Sequence, residues 1–129
     1  HSLCRKVRLD NNANQYRLTT HLRPIGLQCV HIRLETDANA PKMFVDFRLD
    51  EKYKIVNQVS SPDLRISTVN LHYKNGYFCC EINLSRISNN LNYNLCIGSG
   101  LFSSGQNNNT SGEQLIILNA TSMRGLLDT

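Results

Sequence analysis

Between residues 43 and 49 apolar and polar positions alternate without a slip. Met43, Val45, Phe47 and Leu49 fall on one side of an extended chain, and Phe44, Asp46 and Arg48 on the other. Period-two alternation marks a strand with one face on a core. Similar short runs recur at residues 15–22, 27–34, 53–59, 64–73, 77–87, 93–97 and 114–118. Turn-forming residues separate them: Arg23-Pro24-Ile25-Gly26, the stretch 36–41, Asp50-Glu51-Lys52, Ser60-Ser61-Pro62-Asp63 and Lys74-Asn75-Gly76. The Asn75-Gly76 step is a strong short-range hairpin signal, because both residues tolerate the positive φ that a tight hairpin turn needs. Helical periodicity is nearly absent. The rhythm predicts an all-β fold, a single antiparallel β-sandwich.

The alternation also assigns faces. Val30, Ile32 and Leu34 lie opposite Cys29, His31 and Arg33, while Cys80, Ile82 and Leu84 point inward and leave Glu81, Asn83 and Ser85 outside. Residues 98–112 are rich in Gly, Ser and Asn and predict a long polar loop near the end of the domain.

Composition narrows the class. The chain has 129 residues, 40% hydrophobic and 19% charged, a globular balance sized for one core and one domain over residues 1–129. No apolar run approaches the length that crosses a bilayer as a helix. The net charge is +4, but the basic residues scatter, and Arg5-Lys6-Val7-Arg8 is the only dense group. A nucleic-acid surface concentrates such charge on one face and adds aromatics for stacking, so no nucleic-acid partner is expected.

Five cysteines (Cys4, Cys29, Cys79, Cys80 and Cys96) are many for this length, and none sits in a C-x-x-C spacing. That pattern favours disulfides over a zinc or redox motif, and with them an extracellular or cell-surface location. Cys29 and Cys79 fall on the same side of their strands, away from the apolar face, and are the expected pair; Cys4 with Cys80 or Cys96 is the alternative. An odd count leaves one thiol free or bonded outside the segment, as in a domain of a larger extracellular protein. Sequons at Asn83, Asn108, Asn109 and Asn119 are candidate glycosylation sites, in a chain whose asparagine content also generates some by chance.

Catalytic constellations are sparse. Gly98-Ser99-Gly100 lacks the full nucleophile-elbow pattern, and the acidic residues Asp46, Asp50 and Glu51 look ordinary, two of them solvated at a turn. His1 could bind copper through its amine and imidazole, with His21, His31 or His72 as a second ligand. No other feature supports that oxidative reading, and neither a catalytic set nor a metal site is expected.

The order of segments resembles a family. Gly26-Leu27-Gln28-Cys29-Val30-His31-Ile32, then Lys42-Met43, Val45-Asp46-Phe47 and Asp50-Glu51-Lys52-Tyr53-Lys54-Ile55, is similar to the first half of a DOMON domain. Asn75-Gly76-Tyr77-Phe78-Cys79-Cys80-Glu81-Ile82-Asn83-Leu84-Ser85-Arg86 and Leu91-Asn92-Tyr93-Asn94-Leu95-Cys96-Ile97-Gly98-Ser99-Gly100 resemble two of its later strands. The resemblance covers roughly residues 15–118. It implies an extracellular β-sandwich that binds haem or sugar-like ligands, often as one module of a larger protein. Haem-binding members hold iron with a methionine after the second strand and a histidine in the late loop. Met43 matches the methionine, but residues 102–114 contain no histidine. Haem is therefore disfavoured, no cofactor is expected, and Met43 is more simply a core residue. A b-type haem electron-transfer domain is the alternative function. An immunoglobulin-like topology is the alternative architecture; Tyr77-Phe78-Cys79 mimics a tyrosine corner, although the chain has no tryptophan.

The expectation is an extracellular module that binds another protein, a glycan or a small ligand, without membrane insertion. Recognition in a sandwich usually falls to loops held by rigid sheets. The loop at residues 36–42 is favoured over 98–112, which its sequons would shield, so Asp37, Asn39 and Lys42 are the candidate contacts. The competing surface is the sheet face carrying Phe44, Asp46 and Arg48.

Overall fold

The computed structural model describes residues 2–36, 41–49, 54–103 and 115–126. These form nine strands: β1 (Ser2–Arg8), β2 (Gln15–Ile25), β3 (Cys29–Glu35), β4 (Pro41–Arg48), β5 (Lys54–Ser60), β6 (Leu64–Lys74), β7 (Tyr77–Arg86), β8 (Asn92–Ser99) and β9 (Leu115–Leu126). No helix occurs among the described residues. The strands make two antiparallel sheets, a five-stranded one in the order β1-β8-β3-β4-β5 and a four-stranded one in the order β6-β7-β2-β9. The protein is an all-β sandwich.

Two long-range pairings nest inside one another. β1 pairs with β8, and β2 pairs with β7, so the first two strands of the chain each close a ladder with one of the later strands. In the immunoglobulin order the second strand lies beside the fifth; here β2 lies between β7 and β9.

The inward positions of each strand meet in one core. Val30, Ile32 and Leu34 of β3, Met43, Val45 and Phe47 of β4, and Tyr93, Leu95 and Ile97 of β8 face Tyr16, Leu18 and Leu22 of β2 and Phe78, Cys80, Ile82 and Leu84 of β7. Phe47 and Phe78 join the layers edge to face, with ring centroids 5.6 Å apart, an arrangement that favours the positive ring edge over the negative ring face. Met43 is part of this core and only 1% exposed.

Local chemistry explains the turns and one extension. Asn75 (φ 54°) and Gly76 (φ 80°) both adopt positive φ, and Lys74 pairs directly with Tyr77, giving the two-residue hairpin between β6 and β7. β2 runs three residues beyond its pairing with β7, which ends at Leu22, and passes through Pro24 while still paired to β9. A proline is tolerated there because one side of the strand is already open and loses no ladder bond. The expected turn at residues 23–26 is therefore shortened.

The corner that brings the chain from β1 into β2 is held by Tyr16, not by Tyr77. Its hydroxyl lies 2.6 Å from the carbonyl oxygens of Asp10 and Ala13. Arg86 donates to the same hydroxyl at 2.9 Å and to the Ala13 carbonyl at 3.0 Å. A partly buried arginine on a buried tyrosine thus ties the corner to the end of β7.

The expected Cys29–Cys79 bridge is not the one present. Cys29 lies on β3 in one sheet and Cys79 on β7 in the other, and neither of them nor Cys80 forms a disulfide. The disulfide joins Cys4 to Cys96, two residues that face one another directly in the β1–β8 ladder. Each outer pair of positions faces away from the opposite sheet, so Cys29 and Cys79 point in opposite directions across the full thickness of the sandwich. Burial pushes the Cys80 thiol up to about 12, with Glu81 and Cys79 adding to the effect, which keeps it protonated and unreactive.

Candidate functional site

The outward face of the five-stranded sheet is not a plain solvated surface. After β8 the chain turns at Gly100, whose φ of 79° a side chain would resist, and crosses back over β3 and β4. The Gly100 amide donates to the Cys29 carbonyl at 2.9 Å. The amides of Phe102 and Ser103 donate to the two carboxylate oxygens of Asp46, at 2.8 and 3.2 Å. Asn57 on β5 donates to the Ser103 hydroxyl at 3.0 Å and lies 3.4 Å from Asp46 Oδ2. Asp46 is fully buried beneath this segment. Its charge is compensated by N–H donors.

Phe102 fills the space that the crossing segment encloses. Its ring centroid lies 5.3 Å from that of His31 and 5.0 Å from that of Phe44. The Arg33 guanidinium carbon sits over the Phe102 ring at 5.1 Å, within cation–π range. Phe44 and Phe102 both stay partly accessible. Beside them, Val59 is the direct partner of Phe44 in the β4–β5 ladder and is 50% exposed.

Beneath the ring runs a polar chain along alternate residues of β3. Arg33 Nε donates to Glu35 Oε2 at 2.9 Å. Arg33 Nη1 donates to His31 Nε2 at 2.7 Å. His31 Nδ1 lies 3.1 Å from the Gly100 carbonyl oxygen, which can only accept. Nδ1 therefore carries the proton and Nε2 the lone pair. Burial lowers the His31 pKa from 6.5 and Arg33 adds to that, against opposing contributions from the Gly100 carbonyl and Asp46. Glu35 Oε1 also lies 3.5 Å from Cys96 Sγ, a contact rather than a hydrogen bond, because a disulfide sulfur has no proton to donate. Both nitrogens of His31 are engaged and both charges on β3 are paired, so these groups fix a shape and leave no free base among them.

Comparison with protein-family models, with curated proteins and with solved structures finds no match to the chain.

The loop contacts expected from sequence scatter. Asp37 and Asn39 lie outside the described residues, as do Asn108, Asn109 and His1. Lys42 is on β4, where its ammonium pairs with Asp63 at 3.2 Å and its carbonyl accepts from the Ser61 amide at 2.7 Å; it clips the β5–β6 corner. Asn83 sits on the outward face of central β7, donating to Thr68 at 2.7 Å and accepting from Arg17 at 3.3 Å. Asn119 falls in β9 at a register shift, between Leu118 opposite Leu22 and Ala120 opposite His21. Phe44, Asp46 and Arg48 share the outward face of β4 as expected, and the first two belong to the site. Phe102 went unnoticed. Its one signal is placement directly after Gly98-Ser99-Gly100-Leu101, where a flexible step ends in a large apolar side chain.

Proposed function

We propose that this chain is an extracellular recognition domain that engages a protein partner through the outward face of its five-stranded sheet. Phe44, Phe102, Val59 and Asn57 form the centre of that surface. The observation that carries the reading is the clamp of Asp46 on the Phe102 and Ser103 amides, which holds a partly accessible aromatic pair beside an exposed valine. Interfaces draw most of their energy from a few aromatic and arginine anchors, and an anchor already fixed in place gives up less entropy on binding. The Cys4–Cys96 disulfide and the sequons support the extracellular location. The haem alternative gains no support from Met43, which lies in the core between the sheets.

The test starts with the immobilised wild-type domain and solubilised cell-surface proteins, and then measures affinity for the captured partner. Val59→Glu should weaken binding by about tenfold or more without changing the melting temperature, and Lys42→Ala should leave it intact. Binding that depends on Lys42 and ignores Val59 would return the interface to the 36–42 loop.

A further inference from the structure

The outward face of the four-stranded sheet places three metal-ligating residues in one row. His21 on β2 is the direct partner of Cys79 on β7, and Cys79 is the direct partner of His72 on β6. The two-residue Asn75-Gly76 hairpin makes Lys74 and Tyr77 the closing hydrogen-bonded pair. Counting two residues back along each strand makes His72 and Cys79 a hydrogen-bonded pair as well, with Cα atoms about 5.5 Å apart. Cys79 then meets His21 in the other type of pair, about 4.5 Å apart. All three side chains leave the same face. Cys79 is a free, partly exposed thiol, His21 is partly exposed and His72 is exposed. No side-chain hydrogen bond or ion pair among the described residues holds any of them.

From this register we infer a surface site for a divalent transition metal of the zinc class, with Cys79 as thiolate ligand and His21 and His72 as imidazole ligands. An ion seated over the sulfur at about 2.3 Å needs nitrogen donors at about 2.0–2.1 Å. An imidazole reaching in from each neighbouring strand spans one ladder interval to such a point. In the structure the three ligand atoms do not all lie within 4.8 Å of one another, so closing the site takes rotation of the histidine side chains toward the Cys79 sulfur. Thiolate with imidazole is a donor set that prefers zinc, cobalt and copper to magnesium or calcium. All three ligands approach from the sheet side, so the remaining coordination position faces solvent and takes water. Binding displaces the Cys79 thiol proton to solvent.

The other candidate group does not compete. Cys4, Glu35 and Cys96 have ligand atoms within 4.8 Å of one another, but both sulfurs are joined in the disulfide and neither is a thiolate. This inference is independent of the partner-binding reading, because the row lies on the opposite sheet.

The test is anaerobic titration of the untagged protein with cobalt(II), followed by displacement with zinc(II). One equivalent of cobalt should produce a thiolate-to-cobalt charge-transfer band in the near ultraviolet, which zinc abolishes. Cys79→Ser should remove the band. His21→Ala and His72→Ala should each weaken cobalt binding at least about a hundredfold, the upper end of what losing only an outer-shell partner costs. Cys80→Ala and His31→Gln, which stand outside the row, should keep the band. In a second readout, saturating zinc should slow alkylation of Cys79, followed by peptide mass spectrometry. A band that survives Cys79→Ser, the absence of any stoichiometric band, or alkylation of Cys79 unaffected by zinc would each overturn the site.

Discussion

The outward faces of the two sheets follow the same alternating pattern and end in opposite states. On the four-stranded sheet no described outward residue of β2, β6 or β7 is buried; Arg17, Glu81, Asn83 and Thr68 form an open ladder of polar contacts. On the five-stranded sheet Cys29, His31, Glu35 and Asp46 occupy equivalent positions and are buried. The difference comes from outside the strands. A segment leaving β8 folds back over one sheet, and every buried polar group there is bonded to it or to its neighbours on the face. Period two tells which way a residue points. It does not tell whether water or protein waits on that side.

Removing the staple from the covered sheet is the strongest way to break the contrast. Cys4–Cys96 spans a sequence separation of 92 residues and fastens the edge strand β1 to β8. In the chain-entropy account a loop of this size is worth about 4–5 kcal/mol. The Cys4→Ser, Cys96→Ser double variant should lose roughly that much in denaturant unfolding. A loss under about 1 kcal/mol would mean that the ladder alone holds β1.

Next in size is the clamp. Asp46→Ala strands the amides of Phe102 and Ser103, and the cost of buried unsatisfied donors to a charged acceptor sums to about 3 kcal/mol. Glu81→Ala on the open sheet removes an Arg17 pair at 3.5 Å whose side chains are 46% and 31% exposed, and should cost less than about 1 kcal/mol. Chemical denaturation of both variants measures the difference between a covered and an uncovered carboxylate. If the two losses agree within error, burial of Asp46 has no energetic consequence and the comparison fails.

How much of this was legible depends on the distance between the residues involved. The core positions of β3, β4 and β7 follow from alternation within seven to ten residues, and the Asn75-Gly76 hairpin from two. β1 escaped because an edge strand needs little apolar surface. Its Arg5, Lys6 and Arg8 look like a charge cluster, and such charges guard an exposed edge against pairing with other chains. The disulfide was legible only as the alternative pairing, because Cys4 meets Cys96 through a register between the first strand and the eighth. Alternation correctly turned Cys29 and Cys79 outward, but it could not show that they sit on different sheets. The clamp escaped for a related reason. Asp46 and Phe102 are joined by a crossing whose only local mark is Gly100.

The smallest effect sharpens the comparison through pH, because the covered face holds a histidine that must stay neutral. His31 accepts from Arg33 at Nε2 and donates to Gly100 from Nδ1. A second proton would remove the acceptor and set a cation against the guanidinium. Its pKa is accordingly lowered from 6.5, first by burial. In the unfolded chain the imidazole protonates near 6.5, so below that pH the unfolded state binds more protons than the folded one. The contribution of neutral His31 is complete above that value and is lost as pH falls through the lower folded value. Melting temperature should therefore decline as pH is taken from 7.5 toward 5 in steps of about half a unit. His31→Gln, which can still donate and accept through its amide, should flatten that decline while costing less at neutral pH than Asp46→Ala. Arg33 and Asp46 act on position 31 in both proteins, so the difference between the two curves isolates the imidazole. Parallel curves over the whole range would show that the covered face does not hold His31 neutral.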